Sequence, residues 1–216
     1  MAKVKINGVD YFVEGSKISL ENNKILVNGQ EIDMEYVKAK EIKITIEGNV
    51  ESLIAPCAQE INIIGNVGSI QTKTGDISIQ GDVTGDIKTE RGSVDSFAVG
   101  GNVSAGGDVN CGDVNGNVSA GGTVDCGEVK GGVYTGNGNI HVSGDVAGGV
   151  NTQNGNIDCG DIGGGAIAQE GDIDCNDIQG DVSIGSGRLD SKDIYGDVII
   201  CSGDINCGNV QKPDHE

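Results

Sequence analysis

An internal repeat constrains the fold of this chain more than any other feature of its sequence. Residues 101–115 read GNVSAGGDVNCGDVN and residues 116–130 read GNVSAGGTVDCGEVK, so one fifteen-residue unit occurs twice in succession. When small apolar residues are aligned, related units extend from about Ile44 to Val210 at 15–17 residues per copy. Such a period is typical of a solenoid, in which stacked turns share one core that no single turn can form.

Five columns of small, mostly apolar residues recur in each copy. The copy that begins at residue 101 has Val103 and Ala105 in columns one and two, Val109 and Cys111 in columns three and four, and Val114 in column five. A step of two residues places both side chains on one face of a β-strand, so each copy has two such strands and a shorter third one. The pattern predicts an all-β fold, a three-faced parallel β-helix of about ten coils.

Glycine marks the three corners between these strands. In the same copy, Gly101 precedes column one, Gly107 precedes column three and Gly112 precedes column five. At the third corner Asn176 replaces glycine once. Because asparagine is the other residue that tolerates positive φ, we expect this corner to be left-handed.

Residues 1–43 differ from the repeats and predict a separate module. The alternation in KVKINGVDYFVEG and SKISLENNKILVNGQEI is interrupted by ING, ENNK and VNGQ, which are hairpin signals. We expect an N-terminal antiparallel β cap over the first coil, containing Tyr11, Phe12 and Tyr36. Residues 44–210 then form the parallel β-helix, and residues 211–216 form a polar C-terminal tail.

The charge of the chain is strongly negative and unevenly distributed. The net charge is −19; residues 1–50 contain 7 Lys or Arg against 8 Asp or Glu, and residues 51–216 contain 7 against 25. The acidic residues 51–216 are expected to repel nucleic acid and anionic membranes, which disfavours direct binding to either. No apolar run is long enough to cross a membrane, and the start lacks the apolar core of a signal peptide. We therefore expect no membrane insertion, a cytoplasmic location and reduced cysteines.

The sequence offers no convincing catalytic, cofactor-binding or metal site. Column four contains Cys111 with Cys126 and Cys159 with Cys175 on adjacent coils, but it also accepts Val, Ile and Ser, so we interpret these cysteines as core residues. Cys57 and Cys201 are off the column, and Cys201 is predicted to point outward. A straight column brings too few thiols together for zinc, which needs four converging ligands.

Aspartates at the Gly-Asp corners and the two histidines also suggest no chemistry. The aspartates are explained by turn preference, and the period differs from that of calcium-binding β-rolls. His141 lies between two inward positions and is expected to face outward alone, while His215 is in the tail. We expect no enzymatic activity and no cofactor.

The cadence GDVTGDIKTERGSV at residues 81–94 resembles that of the bactofilins, and the resemblance extends over roughly residues 48–210. It implies a right-handed, three-faced β-helix that joins end to end into nucleotide-free filaments or scaffolds. The chain departs from that family in its N-terminal hairpin module, its slightly short coils and its acidic, cysteine-containing body.

The C-terminal coils are the best candidate for a functional surface, because no module comparable to the N-terminal cap follows them. They are rich in β-branched residues that either close the core or stack on another copy. The possible end-stacking residues are Ile184, Val198, Ile199, Ile200, Ile205 and Val210. The favoured hypothesis is a structural protein that self-associates through this coil, and the cap favours a dimer over a filament. The alternative is an acidic module that mimics nucleic acid to occupy a site on a basic host protein, as phage and mobile-element inhibitors do.

Overall fold

The structure, a computed structural model, describes residues 2–7, 9–13, 17–21, 24–32 and 42–211. The expectations for Tyr36 and for the tail beyond residue 211 lie outside these residues. The chain divides into two compact units, Met1–Gly107 and Asp108–Glu216.

The described part of the first unit consists of short β-strands. Their bounds are β1 (Ala2–Ile6), β2 (Val9–Val13), β3 (Lys17–Glu21), β4 (Lys24–Val27), β5 (Gln30–Ile32), β6 (Ile42–Glu47), β7 (Val50–Ile54), β8 (Ala58–Ile64), β9 (Val67–Thr72), β10 (Asp76–Gln80), β11 (Ile87–Thr89), β12 (Val94–Ser96) and β13 (Val103–Ala105). The first strand of the solenoid, β6, begins two residues before the position inferred from the repeat.

Parallel pairing from coil to coil builds the solenoid of the first unit. One sheet contains β6, β8, β10 and β12 in that order, and a second contains β7, β9, β11 and β13. The third face is a row of single parallel bridges that joins Val67, Val83 and Val99. The three faces and the period predicted from the sequence are therefore confirmed in this unit.

The N-terminal strands continue both sheets of the first unit, one sheet by an antiparallel pair and the other by a parallel pair. β1 pairs antiparallel with both β2 and β6. β3 pairs with β4, and β4 with β5, in antiparallel fashion, while β3 runs parallel to β7. The predicted hairpin module is thus present. Its buried side chains are aliphatic, Val4 and Ile6 among them, whereas Phe12 is 66% exposed.

The second unit is built in the same way. Its strands are β14 (Val109–Cys111), β15 (Val118–Ala120), β16 (Val124–Cys126), β17 (Val133–Thr135), β18 (Ile140–Val142), β19 (Val150–Asn154), β20 (Ile157–Cys159), β21 (Ala166–Glu170), β22 (Ile173–Asp174), β23 (Val182–Ser186), β24 (Leu189–Ser191), β25 (Val198–Ser202) and β26 (Ile205–Cys207). Even-numbered strands from β14 to β26 form one parallel sheet, and odd-numbered strands from β15 to β25 form another. Single bridges from Val114 to Val210 form the third face.

The five sequence columns face the interior in both units. Every column member from Leu53 to Ile194 is buried. In register, Val124 pairs with Ile140 and Ile140 with Ile157, so that like side chains lie above one another. β-Branched side chains suit such a pleated, packed surface. Each coil contributes only a few inward side chains, and the shared core exists because the coils stack.

The expectation of a left-handed third corner is wrong for most coils. In that glycine column only Gly48 and Gly65 have positive φ, and Asn176 does not. The more general reason for glycine is contact between neighbouring coils. At Gly81 of this column, for example, an added Cβ would clash with the carbonyl oxygen of Gly65 on the preceding coil. Asparagine at position 176 is therefore compatible with an ordinary backbone conformation.

Among the described residues, no helix has the length and apolar character needed to cross a membrane.

Candidate functional site

The last coil of the second unit exposes residues that are buried in every earlier coil. Ile205 is 55% exposed and Val210 is 47% exposed, although each belongs to an inward column. Their counterparts one coil earlier, Leu189 and Ile194, are both 0% exposed. The contrast arises because Ile205 and Val210 have no further coil above them among the described residues. Within the part of the chain that the structure describes, nothing therefore covers the inward side chains of this coil.

The backbone of the last coil also lacks a paired strand, among the described residues, on the edge that faces away from the preceding coil. In the coil below, the N–H of Leu189 donates to the carbonyl of Asp204 at 2.9 Å and the N–H of Ile194 donates to Asn209 at 2.8 Å. The same N–H groups of Ile205 and Val210 face the position of the next coil, which no described residue fills. β25 and β26 are accordingly the terminal strands of their sheets. Such an edge is a template for another strand.

The structure places the six predicted interface residues in three different environments. Val198 and Ile200 are half-buried members of the last coil, and they join Ile205 and Val210 at its open end. Ile199 is 61% exposed, but as the outward residue between two inward ones it lies on the lateral face. Ile184 is 0% exposed and pairs with Ile200, one coil further in. Ile184 therefore supports the end without forming part of its surface.

The first coil of the solenoid is covered, in contrast to the last. Ile44 and Ile46 on β6 belong to the same columns as Ile205 and Cys207, yet they are only 2% and 0% exposed. β1 lies alongside them, with Ile6 opposite Ile44 and Val4 opposite Ile46. β1 thus covers the inward side chains of the first coil, and β2 is the terminal strand of this sheet.

Corner aspartates and asparagines form hydrogen-bonded ladders between coils. The N–H of Asp161 donates to Oδ1 of Asp145 at 2.8 Å, and the N–H of Arg188 donates to Oδ1 of Asp172 at 2.7 Å. Similar bonds recur at all three corners, with partners 15–17 residues apart. The turn preference inferred from the sequence is therefore incomplete, because these side chains bond to the next coil.

Four cysteines of the column are buried and form no disulfide. Cys111 with Cys126 and Cys159 with Cys175 occupy adjacent coils without a disulfide. A hydrogen bond with Cys111, together with burial, raises the pKa of the Cys126 thiol well above its usual range. The hydrogen bond with Cys159 and burial raise the pKa of Cys175 in the same way. These thiols are protonated core residues rather than nucleophiles.

The remaining cysteines lie outside this buried group. Cys57 and Cys201 are exposed, which confirms that Cys201 points outward, and Cys207 is half-buried at the open end. Ser191 occupies the same column as Cys207. Its hydroxyl is buried without a hydrogen-bond partner among the described residues.

His141 faces outward as expected, but it is not alone. Its Nδ1 lies 3.2 Å from Oδ2 of Asp158, the in-register residue of the next coil. Both side chains are at least half exposed, so the pair contributes little to stability. Within the described residues, no group of three His, Cys, Asp or Glu side chains is arranged to hold a metal ion.

A lateral groove of about 650 Å³ lies on the outer face of the second unit, and the sequence analysis did not predict it. Ile167 and Ile199, which are both exposed, line it together with Gly149 and Gly165. These glycines occupy the corner position at which earlier coils carry Asn117 or Asp86, so this part of the lining has no corner side chain. The available signal was an apolar residue at an outward strand position, repeated at Ile167 and Ile199.

Comparison with known proteins gives no relative for this chain: no protein-family model matches it, and neither the curated proteins nor the solved structures provide a match.

Proposed function

We propose that the protein is a non-enzymatic structural or assembly protein of the cytoplasm that self-associates through its C-terminal coil. The observation that supports this most strongly is the exposure of Ile205 and Val210 at an open edge, in columns that are fully buried one coil earlier. Burial of apolar surface is favourable by roughly 25 cal/mol per Å². A second copy offers a matching arrangement of apolar residues and backbone groups, because it has the same coil.

The size of the end limits the strength of this association. A five-residue strand such as β25 spans about 17 Å, so one coil end is much smaller than a typical protein interface. Apolar contact alone therefore gives weak binding, and hydrogen bonds between edge strands must contribute. We expect association that depends on protein concentration in the micromolar range.

The covered N-terminal edge favours a closed dimer. A filament needs two complementary ends, whereas two copies joined by a two-fold axis use one end each and then stop. Because β1 already pairs with β6, the strand edge of the first coil is occupied. The end-to-end joining implied by the resemblance to bactofilins is accordingly limited to one end in this proposal.

Charge makes the proposal distinguishable from its alternative. Asp197 and Asp204 belong to the last coil, so two such ends bring like charges together, and salt that screens them strengthens association. The alternative, binding to the nucleic-acid site of a basic protein, is favoured by the ladder of Asp145, Asp161 and Asp177 on successive coils. Binding of that kind weakens as salt rises. The hydrogen bonds of the ladder, however, explain these aspartates without any partner.

Light scattering coupled to size-exclusion chromatography tests the proposal. The expected result is a monomer–dimer equilibrium over a hundredfold range of concentration, shifted toward dimer by added salt. Ile205→Asp should remain monomeric, while Ile64→Asp, which replaces a 49% exposed isoleucine in the first unit, should dimerise normally. A monomer at every concentration, or equal behaviour of the two variants, would contradict the proposal.

A further inference from the structure

The outward residues of the odd-numbered strands in the second unit form a straight row. Tyr134, Asn151, Ile167, Ser183 and Ile199 are in register on successive coils from β17 to β25. The apolar members occupy every second coil, and their exposed fractions are 44% for Tyr134, 40% for Ile167 and 61% for Ile199. Polar residues stand between them. The row is therefore an alternating series of apolar projections and hydrogen-bonding groups.

The groove follows the part of this row from Asn151 to Ile199 and has an acidic margin, while Tyr134 continues the row beyond the groove lining. Asn151, Ile167, Ser183 and Ile199 line it, together with Gly149 and Gly165, which have no side chain. Beyond these glycines, Asp181 and Asp197 line the same edge. No Lys or Arg contributes to the described lining. A ligand with apolar side chains and a positive charge would complement these properties.

The spacing of the row selects among possible peptide conformations. Neighbouring coils are about 4.8 Å apart, so apolar residues on every second coil repeat at about 9.6 Å. A polyproline II helix has three residues per turn and a rise of about 3.1 Å, which gives a repeat of about 9.3 Å. The corresponding seven-residue step of an α-helix is about 10.5 Å. Over the four coil steps from Tyr134 to Ile199, polyproline II deviates by about 0.6 Å in total and the α-helix by nearly 2 Å.

We propose that this lateral groove binds a proline-rich segment of another protein in the polyproline II conformation, with a basic residue of the segment near Asp181 and Asp197. Every third side chain of the segment contacts the hollows beside Ile167 and Ile199. Polyproline II has no internal hydrogen bonds, so its carbonyl groups are available to the side-chain donors of Asn151 and Ser183. Proline also reduces the entropy lost on binding, because the free segment already has the bound conformation.

This site adjoins the proposed dimer surface, because Asp197 and Ile199 of its lining belong to the last coil. Ile167 lies two coils before the last one and points outward, whereas Ile205 and Val210 belong to the open end. Ile167 is therefore the residue whose substitution tests the groove without altering the end.

Fluorescence anisotropy with a labelled peptide of one arginine followed by nine prolines tests the proposal on the full chain. We expect saturable binding below about 1 mM, and at least tenfold weaker binding by Ile167→Ser. Ile54→Ser is the matched control, because Ile54 is 38% exposed at the equivalent outward position in the first unit. Asp181→Asn should weaken binding of the arginine peptide but not of ten prolines alone. Circular dichroism verifies that each variant is folded.

Three results would each overturn the proposal. The first is an absence of saturable binding up to about 1 mM. The second is equal binding of a control peptide in which glycine and serine replace the prolines, since that peptide lacks the polyproline II repeat. The third is unchanged affinity of folded Ile167→Ser.

Discussion

Oδ1 of Asp145 accepts a hydrogen bond from the backbone N–H of Asp161, the equivalent residue of the next coil, at 2.8 Å. The relationship repeats from Asp161 to Asp177 and from Asp177 to Asp193, each at 3.2 Å. Each carboxylate thus joins two coils through one oxygen, and the regular spacing places like charges close together. The acidic composition of the second unit follows in part from this structural role.

The ladder predicts opposite effects for two substitutions of Asp145. Asp145→Ala removes the acceptor for the N–H of Asp161 and should lower the free energy of unfolding by about 0.5–1 kcal/mol, since water partly replaces this exposed bond. Asp145→Asn keeps an acceptor and removes repulsion, so its stability should equal or exceed that of the wild type. Urea denaturation at low and high salt measures both. If Asp145→Asn lowered the free energy of unfolding as much as Asp145→Ala, the charge of Asp145 rather than its hydrogen-bond acceptor would account for the stabilisation.

Two serines in the cysteine column should respond differently to truncation. The Ser191 hydroxyl is buried without a partner in the described residues, whereas Ser96 Oγ donates to the Phe97 carbonyl at 3.3 Å. An unpaired buried hydroxyl costs about 1–3 kcal/mol, so Ser191→Ala should stabilise the protein. Ser96→Ala should be neutral or destabilising by up to about 1.5 kcal/mol. Thermal unfolding compares them, and a fall in stability with Ser191→Ala contradicts the assignment.

Stability should decrease as pH rises above the ordinary thiol pKa of 9.0. The pKa values of Cys126 and Cys175 are raised in the folded protein, so unfolding lets these thiols ionise. Their stabilising contribution is complete below the unfolded-state pKa and declines as pH rises toward the folded-state value. Between pH 9 and 10, each such thiol should reduce the free energy of unfolding by about 1 kcal/mol.

Cys126→Val provides the comparison for this pH dependence, because Val142 shows that the column accepts valine. The variant should lose less stability than the wild type between pH 8 and pH 10 in denaturant titrations. Identical slopes for the two proteins would mean that the buried thiols do not account for the decline.

Thiol labelling should separate the seven cysteines by position. Cys57 and Cys201 are exposed and should react fastest, whereas the four buried column cysteines should react only on unfolding. Cys207 at the open end should react at an intermediate rate that falls as protein concentration increases. Mass spectrometry of labelled peptides gives the rates. In Ile205→Asp the rate at Cys207 should be independent of concentration; persistent dependence there would argue against end association.

The sequence predicted the core of the solenoid well because the relevant pattern is local. The two-residue steps, such as Val109 to Cys111, fix which side chains face inward, and the constant period fixes the register. The corner aspartates were interpreted as turn residues only. The sequence around Asp145 is equally consistent with a local turn and with a hydrogen bond to the next coil. The third corner was misassigned because Asn176 suggests positive φ in sequence, whereas only Gly48 and Gly65 of that column adopt it.

The candidate surfaces were harder to predict from the sequence than the core. Ile205 and Val210 follow from the end of the repeat, but Ile184 was included because a sequence pattern does not show which isoleucine is covered by the coil above it. The lateral groove depends on Gly149 and Gly165 lying beside Ile167 in space. That arrangement requires both the stacking register and the corner geometry.

Hydrogen exchange at the amides of Val198, Ile205 and Val210 tests the central claim most directly. These N–H groups occupy the positions that donate to the next coil in every earlier turn of the second unit, and no described residue accepts from them. If the C-terminal coils of two copies pair, exchange at these amides should slow markedly as concentration rises through the range of dimer formation. In Ile205→Asp it should stay fast throughout. Fast exchange of the wild-type amides at all concentrations would contradict self-association through this coil.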